Sequence, residues 1–217
     1  MSATRLVLAR HGETDANVAR MLDSLPPGAP LNELGLGQAA ALAERLADEP
    51  ITAVHASRAT RARQTAAPVA AAHGLHVDVV EGVQEVYVGD LEGRSDQPAR
   101  DHFEVVYGAW WRGDPDARLP GGESARDVAE RYLPAVATIT ADARDTVVLV
   151  SHGAAIRLAA AALLGDTART AYVPNTGLVV LRGDPGAATG WTLEHWDPGP
   201  PRRGDVTAGG PPGPEGP

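Results

Sequence analysis

The chain has no cysteine in its 217 residues. That absence removes disulfides, thiolate catalysis and cysteine-ligated metal. Aromatic residues are scarce, with one Phe and four Trp, so a core must be built mainly from Ala, Val and Leu. No apolar run is long enough to cross a bilayer. The longest alanine-rich one, around Ala154 to Leu164, falls short of the roughly 20 residues a spanning helix needs. The N-terminus passes almost directly into a strand pattern, without a basic-then-apolar leader, and a cytoplasmic location is the default expectation. Positive charge is in deficit: 19 Lys and Arg stand against 28 Asp and Glu, a net charge of −9. That balance disfavours nucleic acid as a partner, and neither nucleic acid nor membrane is expected. An anionic substrate would need a locally basic pocket in an acidic protein.

What is present is ordinary for a globular domain: 43% of residues are apolar, and the length fits one domain with a full core. That domain is read as residues 1–196. From Asp197 to Pro217 the sequence is Pro, Gly and charge with almost nothing apolar, and the tail is expected to be disordered.

Two segments echo each other. Leu6-Val7-Leu8-Ala9-Arg10-His11-Gly12 and Val147-Val148-Leu149-Val150-Ser151-His152-Gly153 are short apolar runs ending in His-Gly. Such runs suit strands buried on both faces. In open α/β sheets ligands bind beyond the carboxyl ends of strands, so two imidazoles could meet there over one substrate.

Between these runs, strand and helix patterns alternate. Thr4 to Ala9, Ile51 to Ala56 and His76 to Val80 read as strands. A helix runs through Leu36, Ala39, Ala43 and Ala47, with Asn32 as N-cap. Another spans Thr60 to His73 and closes at Gly74, with Pro68 expected to kink it or mark its true start. Glu81 to Gly122 reads as an irregular stretch, functional or carrying short helices. Ser124 with Asp127 resembles a capping box opening a helix to about Asp142. An Ala/Leu helix follows His152 as far as Leu164, and Leu178 to Leu181 with Trp191 to Trp196 look like a closing hairpin. The pattern predicts a three-layer α/β/α sandwich with a mostly parallel central sheet.

The chemistry-bearing residues cluster at strand ends. Arg10-His11-Gly12-Glu13-Thr14 and Asn17 follow the first strand. Ser57-Arg58-Ala59-Thr60-Arg61 follows the second. Glu85, in Gln84-Glu85-Val86-Tyr87-Val88-Gly89-Asp90-Leu91-Glu92-Gly93, comes after the third, and His152 follows the fourth. In this order and spacing, over residues 4–182, the sequence resembles the histidine phosphatase superfamily, in its phosphoglycerate mutase-like branch. The resemblance implies a three-layer α/β fold and calls for no cofactor. It assigns His11 to the nucleophile that becomes phosphohistidine, Arg10 and Arg61 to phosphate-binding arginines, His152 to the second pocket histidine and Glu85 to the proton donor. Asn17 matches a polar residue that often touches the phosphoryl group. Family members commonly carry Trp where this chain has Leu91.

These residue types suit phosphoryl transfer. The transferring group spreads charge over three equatorial oxygens, and guanidinium forks fit those oxygens. His152, if protonated, would add a third cation, and the helix starting at Gly153 would add backbone donors. His11 must be neutral at its attacking nitrogen, with the other nitrogen bonded to a backbone carbonyl. Glu85 would protonate the leaving alkoxide and then deprotonate water. A carboxyl in the first role carries a proton part of the time, so the optimum is expected on the acid side of neutral.

Several residues carry plainer readings. Arg58 and Arg63 read as a solvated helix face, Glu123 as charge at a helix N-terminus, and Asn17 as a residue that could simply cap a turn. His55, His73, His76, His102 and His195 match no site, and His73 with His76 lacks a carboxylate at metal-ligand spacing. Trp110 and Trp111 are expected to pack, slightly more than to line a pocket mouth. The leading functional reading is a phosphomonoesterase acting on a small-molecule phosphate monoester. The rival is a phosphoglycerate mutase, which in this family carries a long shielding insertion between the acid and the second histidine. Here that interval is short, and an open pocket admits water. A non-catalytic phosphate-binding module is the third reading, disfavoured because binding needs neither nucleophile nor acid. The residues around the pocket, Met21 to Pro30 and Glu92 to Gly122, are expected to set selectivity, with Pro26-Pro27 stiffening the rim. Oligomeric state is not legible.

Overall fold

A computed structural model describes residues 3–143, 145–165 and 171–197. The expected tail lies outside the described residues except for Asp197. Six strands form one sheet in the order β3-β2-β4-β1-β5-β6. They are β1 (Thr4–Arg10), β2 (Ile51–Ala56), β3 (Val77–Val79), β4 (Thr146–Ser151), β5 (Leu178–Gly183) and β6 (Thr192–Asp197). The pairs β2–β3, β2–β4 and β1–β4 are parallel, while β1–β5 and β5–β6 are antiparallel. The helices are α1 (Asp15–Val18), α2 (Glu33–Arg45), α3 (Thr60–Ala72), α4 (Gln97–Trp111), α5 (Ala125–Thr140) and α6 (Gly153–Leu164).

Alternation along the central strands builds the layers. Leu6 and Leu8 of β1 pack with Val147 and Leu149 of β4 against Val128, Tyr132, Ile156 and Leu163 of α5 and α6. Val7 and Ala9 point the other way with Val148 and Val150, onto Leu42, Ala62, Ala66 and Val69 of α2 and α3. Successive strand side chains face opposite sides. A strand covered on both sides therefore reads as an unbroken apolar run, and all six residues of β4 are buried.

Most elements fall where the periodicity places them. Asn32 caps α2, its side chain accepting from the Gly35 N–H, and Ser124 and Asp127 form a reciprocal capping box on α5. Pro68 does not start α3; the helix runs through it from Thr60 to Ala72. The buried Ala62, Ala66, Val69 and Ala70 face holds the helix against the sheet on both sides of the proline. The stretch read as irregular carries a fifteen-residue helix, α4, capped by the Asp96 side chain with proline in its first turn. Leu91 is buried in the same core cluster as Ala99, Val106 and Trp110 of that helix.

Candidate active site

The register of the two echoed strands sets the site. Arg10 of β1 pairs with Ser151 of β4, so the histidine after each strand emerges at the same edge. The His11 N–H donates to the Ser151 carbonyl at 3.0 Å. The two imidazoles lie edge to face, their centroids 5.2 Å apart. Ser57, just past β2, joins them: its N–H donates to the Val150 carbonyl at 3.0 Å.

Both neighbours of His11 dictate its tautomer. Nδ1 lies 2.7 Å from the Gly12 carbonyl, which can only accept, so Nδ1 carries the proton. Nε2 receives the Arg61 Nε–H at 3.1 Å and must present its lone pair. The ring is buried, 3% exposed. Burial, reinforced by Arg61 and Arg10 and opposed by the Gly12 carbonyl, holds its pKa well below the ordinary histidine value. His11 is thus a neutral imidazole whose lone-pair nitrogen faces a cation. Gly12 makes this loop possible, because a Cβ there would lie 2.7 Å from the Gly35 carbonyl at the start of α2.

Arg61 sits in the first turn of α3, buried, and spends all three nitrogens. Besides its Nε bond to His11, Nη1 pairs with the Asp23 carboxylate at 3.1 Å and Nη2 donates to the Asp23 carbonyl at 2.8 Å. Arg10 donates from Nη1 to the Tyr172 hydroxyl and the Val173 carbonyl, both at 2.9 Å. Its Nε is buried without a partner among the described residues. Gly153 packs on that guanidinium, where a Cβ would come within 3.2 Å of Nε.

His152 is fully buried. Its Nε2 and the Ser57 hydroxyl are 2.6 Å apart, and Nδ1 has no partner among the described residues. Burial, then Arg61, His11, Arg10 and Arg131, push its pKa well below the ordinary value. The ring is therefore neutral near pH 7, not a third cation.

Glu85 accepts three backbone N–H groups: Val86 at 2.9 Å on Oε1, Ala155 at 2.9 Å on Oε1 and Ala154 at 3.3 Å on Oε2. The N-terminal donors of α6, expected to serve a phosphoryl group, are thus directed at Glu85. Asn17 closes a capping box with Thr14, and its Oδ1 also accepts from Asn175 at 3.2 Å.

Arg10, His11, Asn17, Arg61 and Glu85 line one cavity of about 170 Å³, together with Met21, Leu22, Asp23, Ser24, Val86, Val88 and Phe103. His152 and Gly153, expected to touch the phosphoryl group, are not among its lining residues. Arg58 pairs with Glu81 at an exposed position. Trp110 is buried and donates to the Ala117 carbonyl; it and Trp111 border a separate apolar groove with Pro115, Leu133 and Leu158. No group of three or more His, Asp or Glu among the described residues could hold a metal.

Four supporting residues had no motif to announce them. Asn175 donates to the His11 carbonyl at 2.9 Å. Thr65 receives the Gly12 N–H. Glu92 holds the N–H groups of Ser24 and Leu25 as well as the Ser24 hydroxyl. Arg131 of α5 donates to the carbonyls of Gly82, Gln84 and Glu85 and forks onto Glu123 at 2.7 and 2.8 Å. Glu123, read as helix-end charge, is the anchor of the loop that carries Glu85.

A model of the histidine phosphatase superfamily, branch 1, matches residues 6–197. The chain belongs to that superfamily. It is 33% identical over 223 residues to a glucosyl-3-phosphoglycerate phosphatase of Mycolicibacterium vanbaalenii, covering 91% of this chain and 96% of that protein. A probable phosphoglycerate mutase of Yersinia pestis is 32% identical over 196 residues, covering 88% of this chain and 91% of that one. A solved mycobacterial glucosyl-3-phosphoglycerate phosphatase in complex with inorganic phosphate superimposes with a TM-score of 0.75 at 33% identity, over 89% of this chain and 96% of the other. As in histidine phosphatase structures, a mostly parallel sheet is flanked by helices. Among the described residues no helix is long and apolar enough to cross a membrane.

Proposed function

We propose that this chain is a phosphomonoester hydrolase that carries the phosphoryl group on His11 as a covalent phosphohistidine. The observation that supports this most directly is the state of His11. It is buried and neutral, its proton is held on Nδ1 by Gly12, and its Nε2 lone pair is turned toward Arg61. A buried histidine kept only for packing has no need of a cation at its free nitrogen.

Arg10, Arg61 and Asn17 would surround the phosphoryl oxygens, and His152 would support the same group from behind through Nδ1. As the His11 Nε2–P bond forms, the ester P–O bond breaks and Glu85 gives its proton to the leaving alkoxide. Water then attacks phosphorus, Glu85 takes a proton back, the N–P bond breaks and inorganic phosphate leaves. Charge is held by fixed donors throughout, which is where phosphoryl-transfer catalysis lies.

The substrate is a small phosphorylated metabolite bearing a sugar or glycerate group. The glucosyl-3-phosphoglycerate phosphatase relatives make glucosyl-3-phosphoglycerate the first candidate, and Met21, Leu22 and Phe103 at the cavity wall would meet its leaving group. The reading places the enzyme in the cytoplasm, with no nucleic acid or membrane partner. Phosphate release from p-nitrophenyl phosphate and from glucosyl-3-phosphoglycerate tests it. Interconversion of 3- and 2-phosphoglycerate stimulated by 2,3-bisphosphoglycerate would favour the mutase reading instead.

A further inference from the structure

The cavity is lined by two cations, Arg10 and Arg61, and by two carboxylates, Asp23 and Glu85. Its histidine, His11, is neutral, and a third carboxylate, Glu92, stands close enough to act on Arg61. The lining itself thus sets two cations against two carboxylates, and Glu92 adds a third negative charge nearby. Glu85 has a catalytic use. Asp23 has none in the mechanism above, yet it lies against the cation nearest the attacking nitrogen.

Asp23 is also held there by design of the surrounding chain. Its Oδ2 accepts from Arg61 Nη1 at 3.1 Å and from the Ala29 N–H at 2.9 Å. Its carbonyl takes Arg61 Nη2 at 2.8 Å. Gly28, with φ of 62°, leaves the space the pair occupies: a Cβ there would lie 2.2 Å from Arg61 Nη1 and 3.1 Å from Asp23 Oδ1. Next in sequence, Ser24 is fastened to Glu92 through its N–H and hydroxyl. Leu22 exchanges backbone bonds with Gly93 and Arg94. The carboxylate is therefore fixed in the pocket wall on both sides.

We propose that Asp23 is a built-in competitor for Arg61, which weakens the pocket's hold on phosphate and so sets the balance between substrate capture and product release. This rests on the phosphohydrolase reading. A dianion arriving at Arg61 meets a carboxylate already bonded to the same guanidinium, and the two negative charges oppose each other at a partly desolvated site. A positioning residue that merely braced Arg61 would act in the opposite direction, because losing the brace would weaken phosphate binding.

Sign therefore decides the matter. Calorimetric titration of inorganic phosphate into the wild-type protein and Asp23→Asn, with phosphate inhibition of p-nitrophenyl phosphate hydrolysis measured in parallel, is the test. Asn keeps the shape and the acceptor for Ala29 and removes the charge. Phosphate should bind about tenfold tighter to Asp23→Asn, with KM lowered and the phosphate inhibition constant falling by the same factor. Unchanged or weaker phosphate binding in a variant with an unaltered melting temperature would overturn the proposal and leave Asp23 as a brace. If Asp23→Asn fails to fold, Asp23→Ser is read in the same titration for the same sign. A wild-type protein that neither binds phosphate nor releases it from any ester would overturn the phosphohydrolase reading itself.

Discussion

Arg61 donates its Nε–H to Nε2 of His11 across 3.1 Å, the nitrogen assigned to attack phosphorus. The lone pair is thus held by the same cation that would bind the incoming phosphoryl oxygens. The bond also makes protonation of Nε2 unfavourable, since a second N–H there would face a guanidinium.

Replacing Arg61 with Lys keeps a charge but loses the fork that reaches His11 and Asp23 together. A loss of kcat/KM of about 100-fold, near 3 kcal/mol, is expected. Steady-state kinetics on p-nitrophenyl phosphate checks it. A loss below about threefold would show that a point charge suffices.

His11 and His152 both have folded-state pKa values below that of a free imidazole. As pH falls through about 6.5 the unfolded chain takes up protons that these buried rings refuse. Their contribution to stability is present above that pH and is lost below it. Each can add up to about 1.4 kcal/mol per pH unit to the slope. Urea titrations between pH 7.5 and 5 should show stability falling with pH, and His11→Asn with His152→Asn should flatten that slope. An unchanged slope in the double variant would contradict the burial account.

Arg131 and Glu123 form a bidentate pair that fastens residues 82–87 to α5. Arg131→Met should leave three carbonyls without their donor and destabilise the fold by about 2–4 kcal/mol. The fall in kcat should exceed the change in KM, because Glu85 loses its placement while the phosphate donors stay. Thermal melts and kinetics together check this, and a pure stability loss would make the pair structural only.

Gly28→Ala should act on Arg61 before it acts on the fold. The new Cβ would lie 2.2 Å from Nη1 and push it away, and the positive φ adds strain of roughly 1–2 kcal/mol. Phosphate affinity is expected to drop while the melting temperature falls by only a few degrees. Retained affinity would mean that the 21–30 segment moves away instead.

The sandwich, the strand edges and the pairing of Arg10-His11 with Ser151-His152 were legible because a parallel sheet buries its strands on both faces, leaving unbroken apolar runs with the candidate site residues at their ends. α4 was less legible: its apolar positions Phe103, Val106 and Trp110 are separated by charged and small residues, and the Gly-rich flanks dominate the pattern. Its cap, Asp96 followed by Pro98, was the available signal. Asp23 and Glu92 fell in segments expected to border the pocket, but their partners, like the roles of Arg131 and Asn175, were not legible for another reason. Partners that define their roles lie 38 to 164 residues away, and an isolated polar residue in a surface-like stretch carries no periodicity. Glu123 was assigned to its own helix end, whereas the fold brings Tyr87 and Arg131 to it.

The most direct test of the central claim is rapid-quench trapping of a phosphoenzyme from radiolabelled substrate. The expected adduct is base-stable and acid-labile, absent in His11→Ala, and formed more slowly but still formed in His152→Ala. An active wild-type protein that yields no such adduct, or a His11→Ala variant that still yields one, would contradict covalent transfer through His11.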